Sequence, residues 1–466
     1  MRARDMEYFR VREKTIIVSL LVVLAASFLG SCTSRTGSGE EASPPKRLIA
    51  RIYDSGFAKS HDTYNGMGTG SDGKIYYVLC SDLPDIAARM FLLDPAEGQT
   101  RQVGDLNEAC GEKGMNAIAQ GKSHVKFVEA DGKLYFATHI GFYSIIDGME
   151  KPGVPPAGMK KYRGGHLLAY SMSSGRFDDL AIEPKGDGII TMNMDPRRRR
   201  IYGITWPAGN FFRYDLATKT WKDFGSLFQL GENGKGADYR TICRSLAVDP
   251  EDGSVYFSTP EGIIHRYLYD RDALESVSGE DLKKDYFGLY DVTSPGHMAY
   301  NWRQVFYYPA DHKIYGVHGN SGYLFRFDPR AGRVEVLERI TSKPSLLSGM
   351  FDQFSYGYLG FTLGPDNQTI YYLTGGPIYV NGVRVKGKDS TAAGEAKGQE
   401  NLHLITYHIP TARYIDHGAI FFENGEHPTY VNSIAVGRDG TVYTLARAPH
   451  AGGGVHTDLI SVKPKL

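Results

Sequence analysis

The sequence predicts an all-β fold, a seven-bladed β-propeller of four-stranded antiparallel blades, and three observations carry that prediction. A hairpin signal recurs seven times, as SDGKIYY, ADGKLYF, DPRRRRIYG, DPEDGSVYF, PADHKIYG, GPDNQTIYY and GRDGTVYT, bringing Tyr76, Tyr135, Tyr202, Tyr256, Tyr315, Tyr371 and Tyr443 into one phase. Most copies are followed by a third strand and another turn, as in FFRYDLATKTW and YLFRFDPRAGRVEVL. Each copy is then a meander that cannot bury its own faces, and stacking seven into a ring solves the problem. Composition agrees: 31 Tyr and 55 Gly among 466 residues suit short strands and tight turns.

Residues 1–31 read as an export signal. Arg2, Arg4, Arg10, Arg12 and Lys14 precede the apolar run Thr15 to Leu29, which as a helix spans ~22 Å, short of the ~30 Å hydrocarbon core. The run ends in Leu29-Gly30-Ser31-Cys32, which resembles the lipobox of bacterial lipoproteins. That resemblance implies cleavage before Cys32 and acylation of its thiol. Thr33 stands where an inner-membrane retention aspartate is common, which favours the outer membrane, with the periplasmic or surface side left open. Residues 32–46 are a polar tether. The propeller occupies 47–466. Its last copy ends at LISVKP, one strand short, and RLIARIYDSG (Arg47 to Gly56) is expected to supply the missing outer strand and remove an open edge.

The 53 basic and 53 acidic residues balance, so global attraction to nucleic acid is not expected. Of the cysteines beyond Cys32, Cys80 and Cys110 are the expected pair in an oxidising compartment, and Cys243 reads as a buried thiol.

The chemistry is expected at the end of the ring opposite the Asp-Gly turns. In KSHVKFVEADGKLYFATHIG, a two-residue turn at Asp131-Gly132 pairs positions summing to 263, setting His124 opposite His139. His166, at the start of the next strand, comes to the same end. Aligning the repeats puts Asn65, Ile190, Arg244, Arg303, Leu359 and Asn432 in the slot of His124, mostly polar where a core would be aliphatic. Tyr239, Arg240, Trp302, His318 and Tyr356 are expected nearby. The connections 141–165 and 376–401 widen that end. A basic, aromatic-lined mouth suits an acidic polysaccharide or other anionic ligand, since guanidinium forks match carboxylates and aromatic faces stack on sugars.

The repeats, with GGHLLAYSMSSGRFDDL, DPRRRRIYGITWPAGNFFRYDLATKTWKDFG and YLFRFDPRAG, resemble exported bacterial propellers of the streptogramin-lyase-like class and the propeller polysaccharide lyases, ulvan lyases in particular. The resemblance implies β-elimination from a uronate. His124 or His139 would be the base and Tyr239 the acid. Arg244 and Arg303 would hold the carboxylate, with His166, Arg240, Trp302, His318 and Tyr356 as further substrate contacts. That mechanism requires no cofactor; a divalent cation among His124, His139 and His166 stays open. The alternative is a non-catalytic propeller that binds a glycan or protein as an envelope scaffold.

Overall fold

The computed structural model describes residues 47–464 except 147–148, 320, 348–359, 378, 381–382, 385–399, 430, 432 and 451–452. Seven sheets follow one another along the chain, each with its strands in sequence order. Blade 1 is built from Met67–Thr69, Ile75–Leu79, Arg89–Asp94 and Gln99–Asp105, and blade 2 from Val128–Ala130, Lys133–Ala137, His166–Ser171 and Phe177–Ile182. Blade 3 runs from Gly188–Asp195 to Thr220–Ser226, blade 4 from Ala247–Val248 to Ala273–Asp281, and blade 5 from Trp302–Tyr308 to Arg333–Arg339. Blade 6 runs from Phe361–Leu363 to Arg413–Phe421, and blade 7 contributes Ala435–Val436, Val442–Pro449 and Val455–Val462.

The repeat tyrosine is the phasing residue for a physical reason. It sits on the second strand of each blade, with all seven rings buried. A buried phenol gains from a partner, and in blades 1 and 5 the preceding turn supplies one: the Tyr76 hydroxyl donates to Asp72 at 2.8 Å and that of Tyr315 to Asp311 at 2.7 Å. The Asp131-Gly132 turn has φ of 51° and 70°, the left-handed pair that joins strands in two residues.

Apolar clusters lie between blades rather than within them. One joins Tyr76 and Val78 of blade 1 to Leu134 of blade 2 and Ile189 of blade 3. Another joins Tyr443 and Leu445 of blade 7 to Ile75 and Tyr77 of blade 1, which closes the circle. The inner strands of blades 7 and 1 are also in contact.

The closure is split. Arg51–Tyr53 pairs antiparallel with the third strand of blade 7, Ile52 opposite Ile460, and becomes its outer strand as expected. Arg47–Ile49, by contrast, lies parallel to the outer strand of blade 6, Leu48 opposite Ile420. Ala50 donates its N–H to Phe421 at the crossover, so the segment adds an edge to both last blades.

Polar side chains bridge the ring's interior. Gln304 of blade 5 donates to Asn65, which precedes blade 1, at 3.1 Å. The ammonium of Lys126, before blade 2, reaches the carbonyl of Phe361 in blade 6, and burial lowers its pKa to about 8.

The expected Cys80–Cys110 disulfide is not formed: Cys80, Cys110 and Cys243 are free, buried thiols. Cys80 ends a blade 1 strand within the field of Lys122, whereas Cys110 faces His166. Burial raises the Cys110 thiol to about 11.

Candidate functional site

His124 and His139 meet, but not through the register counted from the turn. The ladder follows the 263 sum through Val128 and Tyr135. Beyond it the inner chain leaves the strand, and Lys122 faces His139, with reciprocal backbone bonds of 2.9 and 2.8 Å. The two imidazoles still lie 4.9 Å apart, tilted by 38°. His124 also stacks on Tyr64, 4.7 Å away and 6° from parallel, and its carbonyl accepts from the Asn65 amide at 3.1 Å.

His139 is sealed and His124 nearly so, at 0% and 7% exposure. Nδ1 of His139 lies 2.8 Å from the carbonyl of Ile140 and donates to it, which leaves Nε2 as the lone-pair nitrogen. No hydrogen-bond partner meets that Nε2 among the described residues. Trp206 and Tyr143 enclose the ring at 5.2 and 6.2 Å. Gly188 is required here, because a Cβ on it would come within 2.9 Å of Nδ1.

Burial and nearby cations keep both imidazoles neutral. For His124, burial comes first, then His139, Lys122, Arg244 and Arg303, and the pKa falls well below the ordinary value. For His139 burial dominates and the pKa falls to about 3. Arg244, before blade 4, and Arg303, in blade 5, thus both act on the His124 imidazole electrostatically.

Arg244 is anchored by Glu232 at 2.6 Å and by the carbonyl of Ile242 at 2.8 Å. Glu232 is the hub: its other oxygen accepts from the Trp206 indole at 2.7 Å, and Oε1 also accepts from the Ile242 N–H at 3.0 Å. Tyr239 lies 3.2 Å from the Thr241 hydroxyl, and burial, then Glu232, raises its pKa, so it holds its proton at neutral pH. Arg303 is buried, with Met298 sulfur 3.7 Å away. Arg240 points to Glu261 and to the carbonyls of Ala237 and Tyr239, clamping its own loop.

Other expected contacts fall elsewhere. His166 is fixed between Asp179 and Glu112, each at 3.0 Å. Burial alone would lower its pKa, but hydrogen bonding with Asp179, Cys110 and Glu112 outweighs it and lifts the value to about 11. It is a buried imidazolium in an ion cluster with Arg163 and does not join the His124 pair. Trp302 is wholly buried, its indole donating to the carbonyl of Ser245 at 3.0 Å. His318 is held by Ser321 at 2.8 Å and the Ala299 carbonyl at 3.0 Å, stacked 4.3 Å above Phe287. Burial lowers it to about 4. Tyr356, Leu359, Asn432 and Cys32 lie outside the described residues, as does most of 376–401.

Sequence reading missed Tyr64, Lys122, Tyr143 and Glu232. The Lys122 ammonium stands over the Tyr143 and Tyr64 rings at 4.5 and 5.4 Å, a cation–π arrangement. Tyr143 belongs to the hairpin Tyr143–Ile146 and Met149–Pro152 that forms much of the 141–165 connection. Lys122 was visible two positions before His124, but the register counted from the turn sets it opposite Gly141 rather than His139.

No family model matches the chain, and no curated protein does. Among solved structures, streptogramin B lyase is similar at 11% identity and a TM-score of 0.49, over 90% of this chain and 98% of that one. The extracellular domain of a one-component system from B. thetaiotaomicron is similar at 13% identity and a TM-score of 0.47, over 89% of this chain and 39% of that one. A chain of the mitotic checkpoint complex is similar at 10% identity and a TM-score of 0.47, over 96% and 99%. With identities this low and TM-scores below 0.5, no argument about this chain is taken from them.

Proposed function

We propose that this propeller binds the carboxylate of an acidic saccharide at the His124 end and cleaves the chain by β-elimination. The observation that carries the reading is a neutral imidazole, His124, within the field of Lys122, Arg244 and Arg303. Cations offset the substrate carboxylate, which makes the proton beside it easier to remove. A neutral imidazole takes that proton as general base. The electron pair forms the new C=C bond while the glycosidic C–O bond breaks, and Tyr239, still protonated, gives its proton to the departing oxygen. His139 is a positioning residue: a second, uncharged ring beside His124.

Incubation with a panel of uronate polymers tests this, because elimination creates a conjugated double bond absorbing near 235 nm. His124→Ala is expected to lower turnover by at least about 100-fold, the usual worth of a general base, with folding intact by circular dichroism. Full activity in that variant removes His124 as the base.

A second reading, a non-catalytic glycan- or protein-binding scaffold, is favoured by the burial of His124 and His139. It is the outcome if a polymer binds, no absorbance develops, and His124→Ala leaves affinity unchanged. Attachment to the outer membrane through acylated Cys32 rests on the sequence Leu29-Gly30-Ser31-Cys32. Cys32→Ala is expected to abolish incorporation of a labelled fatty acid; labelling that persists rejects the anchor.

A further inference from the structure

A second constellation lies where the chain closes on itself. His450 follows the second strand of blade 7, Asp458 lies on the third, and Asp54 follows the outer strand contributed by Arg51–Tyr53. One ligand atom from each falls within 4.8 Å of the others. Asp458 is buried, its side chain 1% exposed, with Oδ2 only 2.8 Å from Nε2 of His450. Yet neither atom has a partner in hydrogen-bonding geometry among the described residues. A carboxylate oxygen taken out of water and left without a hydrogen bond is costly, so Oδ2 of Asp458 leaves an interaction unmade.

The remaining oxygens are already used, in a way that aims the unmatched ones. Oδ1 of Asp458 accepts from the Ser55 N–H at 3.2 Å, and Oδ1 of Asp54 accepts from the Gly56 N–H at 2.8 Å. Their Oδ2 atoms turn toward His450, that of Asp54 lying 3.7 Å from Nδ1. Such outer contacts orient the ligands of a metal site. The His456 ring meets His450 edge-on, with the two centroids 4.6 Å apart. A cavity of about 630 Å³, lined in part by Arg51, Phe422, Glu423, Asn424 and His450, opens beside the cluster. It shares no residue with the His124 site and provides an entry path.

We infer that Asp54, His450 and Asp458 bind one divalent transition-metal ion, of the kind that accepts imidazole and carboxylate together, with zinc the leading choice. Nitrogen with two carboxylates suits such an ion better than an all-oxygen cation such as calcium. The site is independent of the carbohydrate reading. Its ligands come from both ends of the described residues, Asp458 lying 403 positions from Ser55, the neighbour of Asp54, so the ion would pin the Arg51–Tyr53 strand to the last blade.

The test is zinc binding to the full chain after removal of metal by a chelator. Titration calorimetry and elemental analysis are expected to give one equivalent, and added zinc is expected to raise the melting temperature. Cobalt in place of zinc is expected to give visible d–d absorption. Asp54→Asn changes an exposed side chain and should leave the fold intact while weakening zinc at least tenfold; His450→Ala should abolish the cobalt spectrum. Binding equally tight in both variants, or no zinc retained by the parent chain, overturns the proposal. In the second case His450 and Asp458 form an ion pair only.

Discussion

Three histidines of one blade occupy opposite electrostatic states, and neighbours decide which. His124 and His139 lie deep among cations and stay neutral; His166 lies equally deep among acceptors and stays charged. The signs give opposite pH dependences. Unfolded histidine takes up a proton below about 6.5, whereas folded His139 does not until about 3. Stability from His124 and His139 is therefore present above pH 6.5 and falls as pH drops through that window. Each contributes up to about 1.4 kcal/mol per pH unit. His166 acts the other way: its contribution is full below pH 6.5 and declines as pH rises toward about 11. Denaturant melts of His139→Gln at pH 6.5 and 4.5 are expected to show a shallower acid loss than the parent. Equal slopes would mean that His139 is not held neutral.

The pairing of His124 with His139 was legible because both flank one short hairpin. The environment that gives them a role was not. Glu232 sits in the connection between blades 3 and 4, outside the repeated hairpin, and only folding brings it between Trp206 and Arg244.

At the scale of the strand, a motif recurs that the tyrosine phasing conceals. His166 begins the third strand of blade 2 and His403 lies near the start of the third strand of blade 6. Each turns Nδ1 to an aspartate thirteen positions on, Asp179 and Asp416, at 3.0 Å. In both blades the register to the outer strand shifts beside the histidine, and a bulge of this kind re-aims side chains. Asp416 additionally accepts the Lys343 and Gly418 N–H groups at 2.7 and 2.8 Å. Burial would raise its pKa, but these bonds and His403 hold it below the ordinary value. Asp416→Asn is expected to cost about 3 kcal/mol, the scale for breaking a buried pair, whereas Tyr214→Phe, which loses a neutral hydrogen bond to the carbonyl of Leu180 at 2.9 Å, should cost about 1 kcal/mol. Urea titrations check both; equal costs would place the aspartate among ordinary surface acceptors.

For the molecule as a whole, the ring and its closing strand were readable because repetition is a property of sequence itself. The division of that strand between two blades was not, since Arg47–Ile49 pairs in parallel where a blade's own strands alternate. Deleting residues 47–53 uncovers the third strand of blade 7 and the outer strand of blade 6 together. The shortened protein is expected to lose cooperative unfolding and to associate through its exposed edges. A monomer with an unchanged melting profile would show that closure contributes little.

The two-blade seam also orders events at the ribosome. Residues 51–53 emerge hundreds of positions before their partners at 459–461 exist, so this short segment must wait, unpaired and sticky, while six blades assemble behind it. Nascent chains of this protein should therefore depend on a holding chaperone until the final residues are released, and an early stop codon in the last blade should leave the opening and closing segments equally orphaned.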